Sequence, residues 1–295
     1  MDACSKSLLC ITNADLSPIT KKTYIDRLRF FSESTKVELY EIVCHPAKYI
    51  QWIKAHSKSL QTQKSYISCI LALFKHTPSL KETEKKHYHE WYSEFKKIHD
   101  QIEDRYKLNE PSLKQKEAYV PYKEIIAKRD TLAKGSKERL LLALYTYLPP
   151  LRSDFNKVYI YSKAQKTYEH DNYILLFDTP PVLVLNEFKT KKTDTYVKIL
   201  PDDLIKEINE SLKQYPREWL FIDRSKNPYN SGSFTKWINR TLKSLFGKAL
   251  TISLIRHSFI NNLDFNKLTV KEKEEIAKDM AHTVDTQDRY RLIFS

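Results

Sequence analysis

Glycine is nearly missing from this chain: three residues in 295, at Gly135, Gly232 and Gly247. A loop that cradles phosphate on its backbone needs several glycines close together, so glycine-rich nucleotide-binding motifs are excluded by count. Any phosphate chemistry has to be done by side chains. Cysteine is scarce as well. Cys4, Cys10, Cys44 and Cys69 are scattered, with no CxxC pair and none after residue 69. That distribution indicates neither a disulfide framework nor a zinc site, and it fits a reducing compartment. No apolar run approaches the ~20 residues of a membrane span, and Met1 to Thr12 lack the basic lead-in and cleavage pattern of a secretion signal. An intracellular, soluble protein without a membrane partner is expected.

What the chain does have is positive charge. The formal net charge is +13, with 18 basic against 13 acidic residues in 1–107 and 32 against 24 in 108–295. A surplus spread over both halves, rather than held in a tail, suits a protein that lies along a polyanion and gains affinity by counterion release. Charge of this size also occurs in proteins with no nucleic-acid partner, so it orders the possibilities without deciding among them.

Apolar spacing separates the chain into two parts. Helical periodicity runs through Tyr24, Leu28 and Phe31, then through Ala47 to Ala55, Tyr66 to Phe74 and the charged, aromatic stretch Glu82 to His99. Residues 1–105 read as a helical bundle with short polar connections. Residues 106–116, polar and interrupted by Pro111, read as a linker. In 117–295, helices are expected at Pro121 to Lys134 and at Ser136 to Leu148, the latter stopped by Pro149 and Pro150. Four β-branched and aromatic stretches follow, at Val158 to Tyr161, Tyr173 to Phe177, Val182 to Phe188 and Tyr196 to Leu200. Between the last two lies the lysine-rich run Lys189 to Asp194. Helical patterns return at Asp202 to Leu212, Ser233 to Phe246, Thr251 to Leu263 and Val270 to Met280. The expected class is mainly α with a small antiparallel sheet.

Four short stretches belong together: Pro149-Pro150-Leu151-Arg152-Ser153-Asp154-Phe155, Phe188-Lys189-Thr190-Lys191-Lys192, Leu254-Ile255-Arg256-His257-Ser258-Phe259, and Met280-Ala281-His282 followed by Tyr290. Taken singly, each has an ordinary explanation. There are nineteen tyrosines, lysine-rich hairpin tips are often solvated edges, and Arg152 with Asp154 fits a solvated turn. Arg256-His257 within an apolar helix is harder to explain that way, because an unpaired buried charge costs several kcal/mol. His87, His89 and Glu90 invite a metal reading, but their spacing and the surrounding lysines fit an exposed helix face. No metal is assigned.

In order and context these motifs resemble the tyrosine recombinase (phage integrase) family. That catalytic domain carries an arginine after a helical stop, a lysine on a β-hairpin, an HxxR helix, a His or Trp, and a tyrosine near the C-terminus. The wording "PPLRSDF", "SLIRHSF" and "MAHTVDTQDRY" is most similar to recombinases of eukaryotic mobile elements and large DNA viruses. The resemblance extends to the N-terminal bundle, which looks like the family's core-binding domain. It implies a helical DNA core-binding domain in 1–105 and a catalytic α+β domain in 117–295. It further implies double-stranded DNA as partner, a dimer or tetramer on that DNA, no cofactor, and work in the nucleus or cytoplasm of a host cell.

By the same resemblance Arg152, Lys189, Arg256, His282 and Tyr290 are the catalytic residues, with Lys192, Ser253, His257 and Asp154 as auxiliaries. The chemistry agrees with these residue types. Two guanidinium groups bind nonbridging phosphate oxygens without a metal. A tyrosine forms a phosphodiester that keeps the bond energy for rejoining, and a hairpin lysine protonates the departing 5′ oxygen. Two features depart from the family pattern. Ser253 stands where HxxR begins, and only Arg291 to Ser295 follow the tyrosine, so assembly through a C-terminal helix is not expected. A type IB topoisomerase, which uses related chemistry, and an inactive DNA-binding protein on the same fold are the alternatives. The helical character of 1–105 favours a recombinase over the topoisomerase, whose N-terminal segment is strand-rich.

Overall fold

The structure, a computed structural model, describes residues 3–188, 195–265 and 267–294. The chain divides into two compact units, Met1–Leu108 and Asn109–Ser295.

The first unit is all helical: α1 (Ala3–Asn13), α2 (Pro18–Thr35), α3 (Leu39–Cys44), α4 (Pro46–His56), α5 (Leu60–His76), α6 (Pro78–Thr83) and α7 (Lys85–Lys107). Proline opens α2, α4 and α6, at the position where its missing N–H costs nothing. Ser17 and Ser59 cap α2 and α5 by accepting from the Thr20 and Thr62 amides. Helix α5 is the core element, burying Ile67, Ile70, Leu73 and Phe74 among Leu28, Phe31 and Trp91. Trp91 is fully buried and donates its indole N–H to the Val43 carbonyl at 3.0 Å, which fixes α7 to α3. Helix α3, six residues long, is too short to show a period, and α1 carries only a short apolar patch; sequence periodicity marks neither. Helix α7 continues to Lys107, and a new helix begins at Leu113 behind a capping box of Ser112 and Gln115.

The second unit runs α8 (Leu113–Ala118), α9 (Tyr122–Thr131), α10 (Lys137–Tyr147), β1 (Tyr159–Tyr161), β2 (Asn172–Leu175), β3 (Val182–Leu185), β4 (Tyr196–Ile199), α11 (Asp202–Gln214), α12 (Ser231–Phe246), α13 (Ile252–Asn262), α14 (Val270–Asp279) and α15 (Val284–Asp288). The sheet order is β1-β2-β3-β4. Strands β2, β3 and β4 are antiparallel, with Tyr173 opposite Val184 and Leu183 opposite Lys198. The sheet is mixed rather than purely antiparallel, because β1 lies parallel to β2, Tyr159 opposite Tyr173. β-branched and aromatic composition reveals a strand but not its direction; here residues 162–171 carry the chain back to the starting end before β2 begins. The core gathers Leu140 to Tyr145 of α10, Leu183 and Leu185 of β3, Leu204 and Ile208 of α11, and Ile255 of α13.

One buried ion pair braces this core. The Arg139 Nε and Nη2 atoms donate to the Glu207 carboxylate at 2.7–2.9 Å, joining α10 to α11. Its Nη1 donates to the Leu132 carbonyl at 3.0 Å, at the end of α9.

Candidate active site

Among the described residues, the motif at 149–155 follows the end of α10, the motif at 254–259 lies inside α13, and the motif at 280–282 closes α14. Pro149 and Pro150 stop α10 after Tyr147, and the following turn is anchored by the buried Tyr145 hydroxyl, which donates to the Arg152 carbonyl at 2.8 Å. Arg152 therefore emerges, half-buried, from a fixed main chain, with half-buried Asp154 opening the short 3-10 turn behind it. Helix α13 is capped by Thr251 and buries Ile252, Leu254, Ile255, Arg256, His257, Ser258 and Ile260. Ser258 donates to the Val120 carbonyl at 2.6 Å, and Phe259 packs edge-on to Tyr122 at 5.3 Å. Both contacts set the rotation of α13.

Helix α14 ends in a paired-bond stop: the His282 amide donates to Ala277 O at 3.0 Å and the Ala281 amide to Lys278 O at 2.9 Å. Ala281 takes the left-handed conformation (φ 51°) that glycine usually fills there, at about 1–2 kcal/mol of strain. The turn redirects the chain so that His282 faces α13. Strand β4 holds the same helix end, the Tyr196 hydroxyl donating to Asp279 O at 3.0 Å and Lys198 pairing with the Asp279 carboxylate at 2.6 Å.

These elements bring Arg256, His282 and Tyr290 together. Arg256 is 1% exposed. It donates to the Pro150 carbonyl, to the Met280 carbonyl at 3.2 and 3.3 Å, and to His282 Nδ1 at 2.7 Å. Its guanidinium lies 4.7 Å from the centre of the Tyr290 ring, and the His282 ring stacks on that ring at 5.4 Å and 20°. Burial lowers the Arg256 pKa; Tyr290 opposes the shift, Arg152 adds to it and the Asp154 charge partly offsets it. A guanidinium remains charged under such a shift.

Since Arg256 can only donate, His282 Nδ1 is the acceptor and the imidazole proton sits on Nε2. Burial first, then the charges of Arg256 and Arg152, push the His282 pKa down to about 3. At neutral pH His282 is thus an uncharged N–H donor and a poor base. Two donors here, Arg256 Nε and His282 Nε2, are buried with no partner among the described residues. Each such orphan costs about 1–3 kcal/mol. Gln287 of α15, fully buried, likewise leaves both amide atoms unpaired among the described residues.

His257 does more than pack. Its Nδ1 donates to the Tyr290 carbonyl at 2.6 Å, its ring lies 4.9 Å from the Tyr290 ring, and burial keeps its pKa low. Ser253 is exposed in the first turn of α13, lining a cleft with Lys114, Glu117 and Thr251, and does not join the Arg256 cluster. Lys189 and Lys192 lie outside the described residues. Sequence reading missed Asn261, whose side chain grips the main chain of Leu292; its spacing four residues after His257 was the available signal. It also missed the carbonyls of Pro150 and Met280, because any residue type supplies a carbonyl.

Among the described residues, one group elsewhere has metal-ligating side chains, Cys44, Glu84 and His87 of the first unit, with ligand atoms within 4.8 Å of one another. Both Glu84 oxygens are already engaged, by the Tyr40 hydroxyl at 2.8 Å and His87 Nδ1 at 2.9 Å, which accounts for the cluster without an ion.

No protein-family model and no curated protein matches the chain. Solved structures do. The XerH site-specific recombinase bound to difH substrate in a pre-cleavage complex is similar at 14% identity and a TM-score of 0.50, over 98% of this chain and 82% of that one. The XerH post-cleavage complex on palindromic difH matches at 14% identity and 0.48, over 97% and 79%. XerA recombinase matches at 13% identity and 0.45, over 99% and 95%. The mainly helical chain with its four-stranded mixed sheet has the tyrosine recombinase fold.

Proposed function

We propose that the chain is a site-specific DNA recombinase of integrase type, cutting and rejoining double-stranded DNA through a covalent 3′-phosphotyrosine at Tyr290. The observation that carries this reading is the pair of buried donors, Arg256 Nε and His282 Nε2, without a partner among the described residues and beside a tyrosine ring. A buried arginine that gives hydrogen bonds to carbonyls and to His282, a second arginine close enough to shift its neighbours, and two buried N–H groups unpaired among the described residues together call for an anionic ligand.

A DNA phosphate satisfies that demand. Arg152 and Arg256 stabilise the nonbridging oxygens as charge builds on them, and His282 adds a neutral hydrogen bond. The Tyr290 oxygen forms the new bond to phosphorus and gives its proton to solvent. The bond from phosphorus to the 5′ oxygen breaks, and Lys189 of the hairpin supplies the proton for that oxygen. Rejoining reverses the same steps. The protein works on DNA as a dimer or tetramer, as an enzyme of a mobile element or virus acting without a metal cofactor.

The test is covalent capture. Duplexes with a 5′-bridging sulfur lose a thiolate that does not rejoin, so adduct accumulates. The wild-type chain is expected to become linked to such DNA and Tyr290→Phe to bind it without linkage; adduct formed by Tyr290→Phe would assign another nucleophile. A two-site recombination assay beside plasmid relaxation separates a recombinase from a type IB topoisomerase.

A further inference from the structure

The segment after Tyr290 is fastened to α13 by two side chains one helical turn apart. His257 Nδ1 donates to the Tyr290 carbonyl at 2.6 Å. Asn261 takes both polar groups of Leu292, its Nδ2 donating to the carbonyl at 2.8 Å and its Oδ1 accepting from the amide at 2.9 Å. The spacing suits the two backbones: four residues of helix rise about 6 Å, and two residues of extended chain span about 6.6 Å. Further along, the Ile293 amide donates to the Asn109 carbonyl at 2.9 Å and Phe294 packs on Tyr119 at 4.3 Å. On the near side the Tyr290 amide donates to Gln287 O at 2.9 Å.

We propose that His257 and Asn261 are positioning residues that hold the main chain on either side of Arg291, so that Tyr290 is presented to Arg256 and His282 of its own chain. The role rests on the recombinase reading above. An amide is the side chain whose donor and acceptor match the peptide edge of one residue, and Asn261 spends both on Leu292 although it is only half-buried and water could have served. A tyrosine has two side-chain torsions, so once its main chain is fixed little freedom remains. An attacking oxygen must come within about 3–3.5 Å of phosphorus, and a misplacement of 1 Å costs on the order of a hundredfold in rate.

The full chain is tested on a random-sequence pool of duplexes carrying the 5′-bridging sulfur. Asn261→Ala and His257→Leu are expected to form adduct about 10–100-fold more slowly while affinity for the same duplexes stays within about twofold, since both side chains are uncharged and spend their hydrogen bonds on the main chain of Tyr290 and Leu292. His257→Asn, whose amide N–H falls near the lost Nδ1–H, recovers most of the rate that His257→Leu loses. Hydrogen exchange supplies a readout without DNA: the Leu292 amide loses protection in Asn261→Ala while α13 keeps it. Should that variant unfold α13, the His257 pair tests the clamp alone. Wild-type adduct rates in Asn261→Ala and His257→Leu refute the clamp and leave the recombinase reading standing; so does His257→Asn as slow as His257→Leu for the His257 hydrogen bond. No adduct from the wild-type chain refutes the recombinase reading, and the role falls with it.

Discussion

The low pKa of His282 should make the second unit acid-labile, and the size of the expected effect follows from the site. Above about pH 6.5 the imidazole is neutral whether the chain is folded or not, and stability is full. Below that, the unfolded chain takes up a proton that the folded site refuses, down to about pH 3. Stability is therefore lost as the pH falls through this window. At pH 5 the linkage amounts to about 2 kcal/mol at 1.36 kcal/mol per pH unit, trimmed to about 1–2 kcal/mol because His282 is partly exposed and solvent screens its neighbours. His257, shifted the same way by burial, adds to the loss in both proteins compared below. His282→Asn is the informative variant, because its Oδ1 can accept from Arg256 where Nδ1 did but does not titrate. Urea unfolding of the full chain at about pH 7.5 and pH 5, read by hydrogen exchange of α13 and α14 so that the second unit is followed by itself, should show wild type losing about 1–2 kcal/mol more than His282→Asn. Equal losses would refute the argument that Arg256 and Arg152 hold His282 neutral.

Glu207→Gln should be among the most damaging changes away from the site. It leaves Arg139 charged and buried without its carboxylate, costing about 3–5 kcal/mol, and calorimetry should show the second unit's transition lowered by roughly 6–20 °C; a shift below 2 °C would mean water reaches the pair. If Lys189 is the general acid, Lys189→Ala is slow on ordinary DNA and near wild type with a 5′-bridging sulfur, whose thiolate needs little protonation. Arg256→Lys stays slow on both; rescue of Lys192→Ala instead would move the assignment along the hairpin. Strand cleavage should survive EDTA, since the arginines supply the charge that a metal otherwise would, and complete loss on chelation would overturn that.

What the sequence determined by itself was mostly local. Periodicity located α2, α4, α5 and α7, Ser136 marked the start of α10, a helical pattern from Thr251 marked α13, and β-branched and aromatic residues marked all four strands, because each signal lies within one element. Strand direction and short helices escaped it: β1 has the same composition whichever way it runs, and α15 is five residues long. The chain order of Arg152, Arg256, His282 and Tyr290 was legible, and so was the oddity of a charge inside the apolar face of α13. What they do to one another was not. That Arg256 spends its hydrogen bonds on carbonyls and His282, that this fixes the imidazole proton on Nε2, and that His257 reaches the Tyr290 carbonyl all depend on contacts 24 to 106 residues apart in sequence. Only tertiary structure decides them, because a histidine's proton and an arginine's partners are set by the groups that the fold brings within about 3 Å.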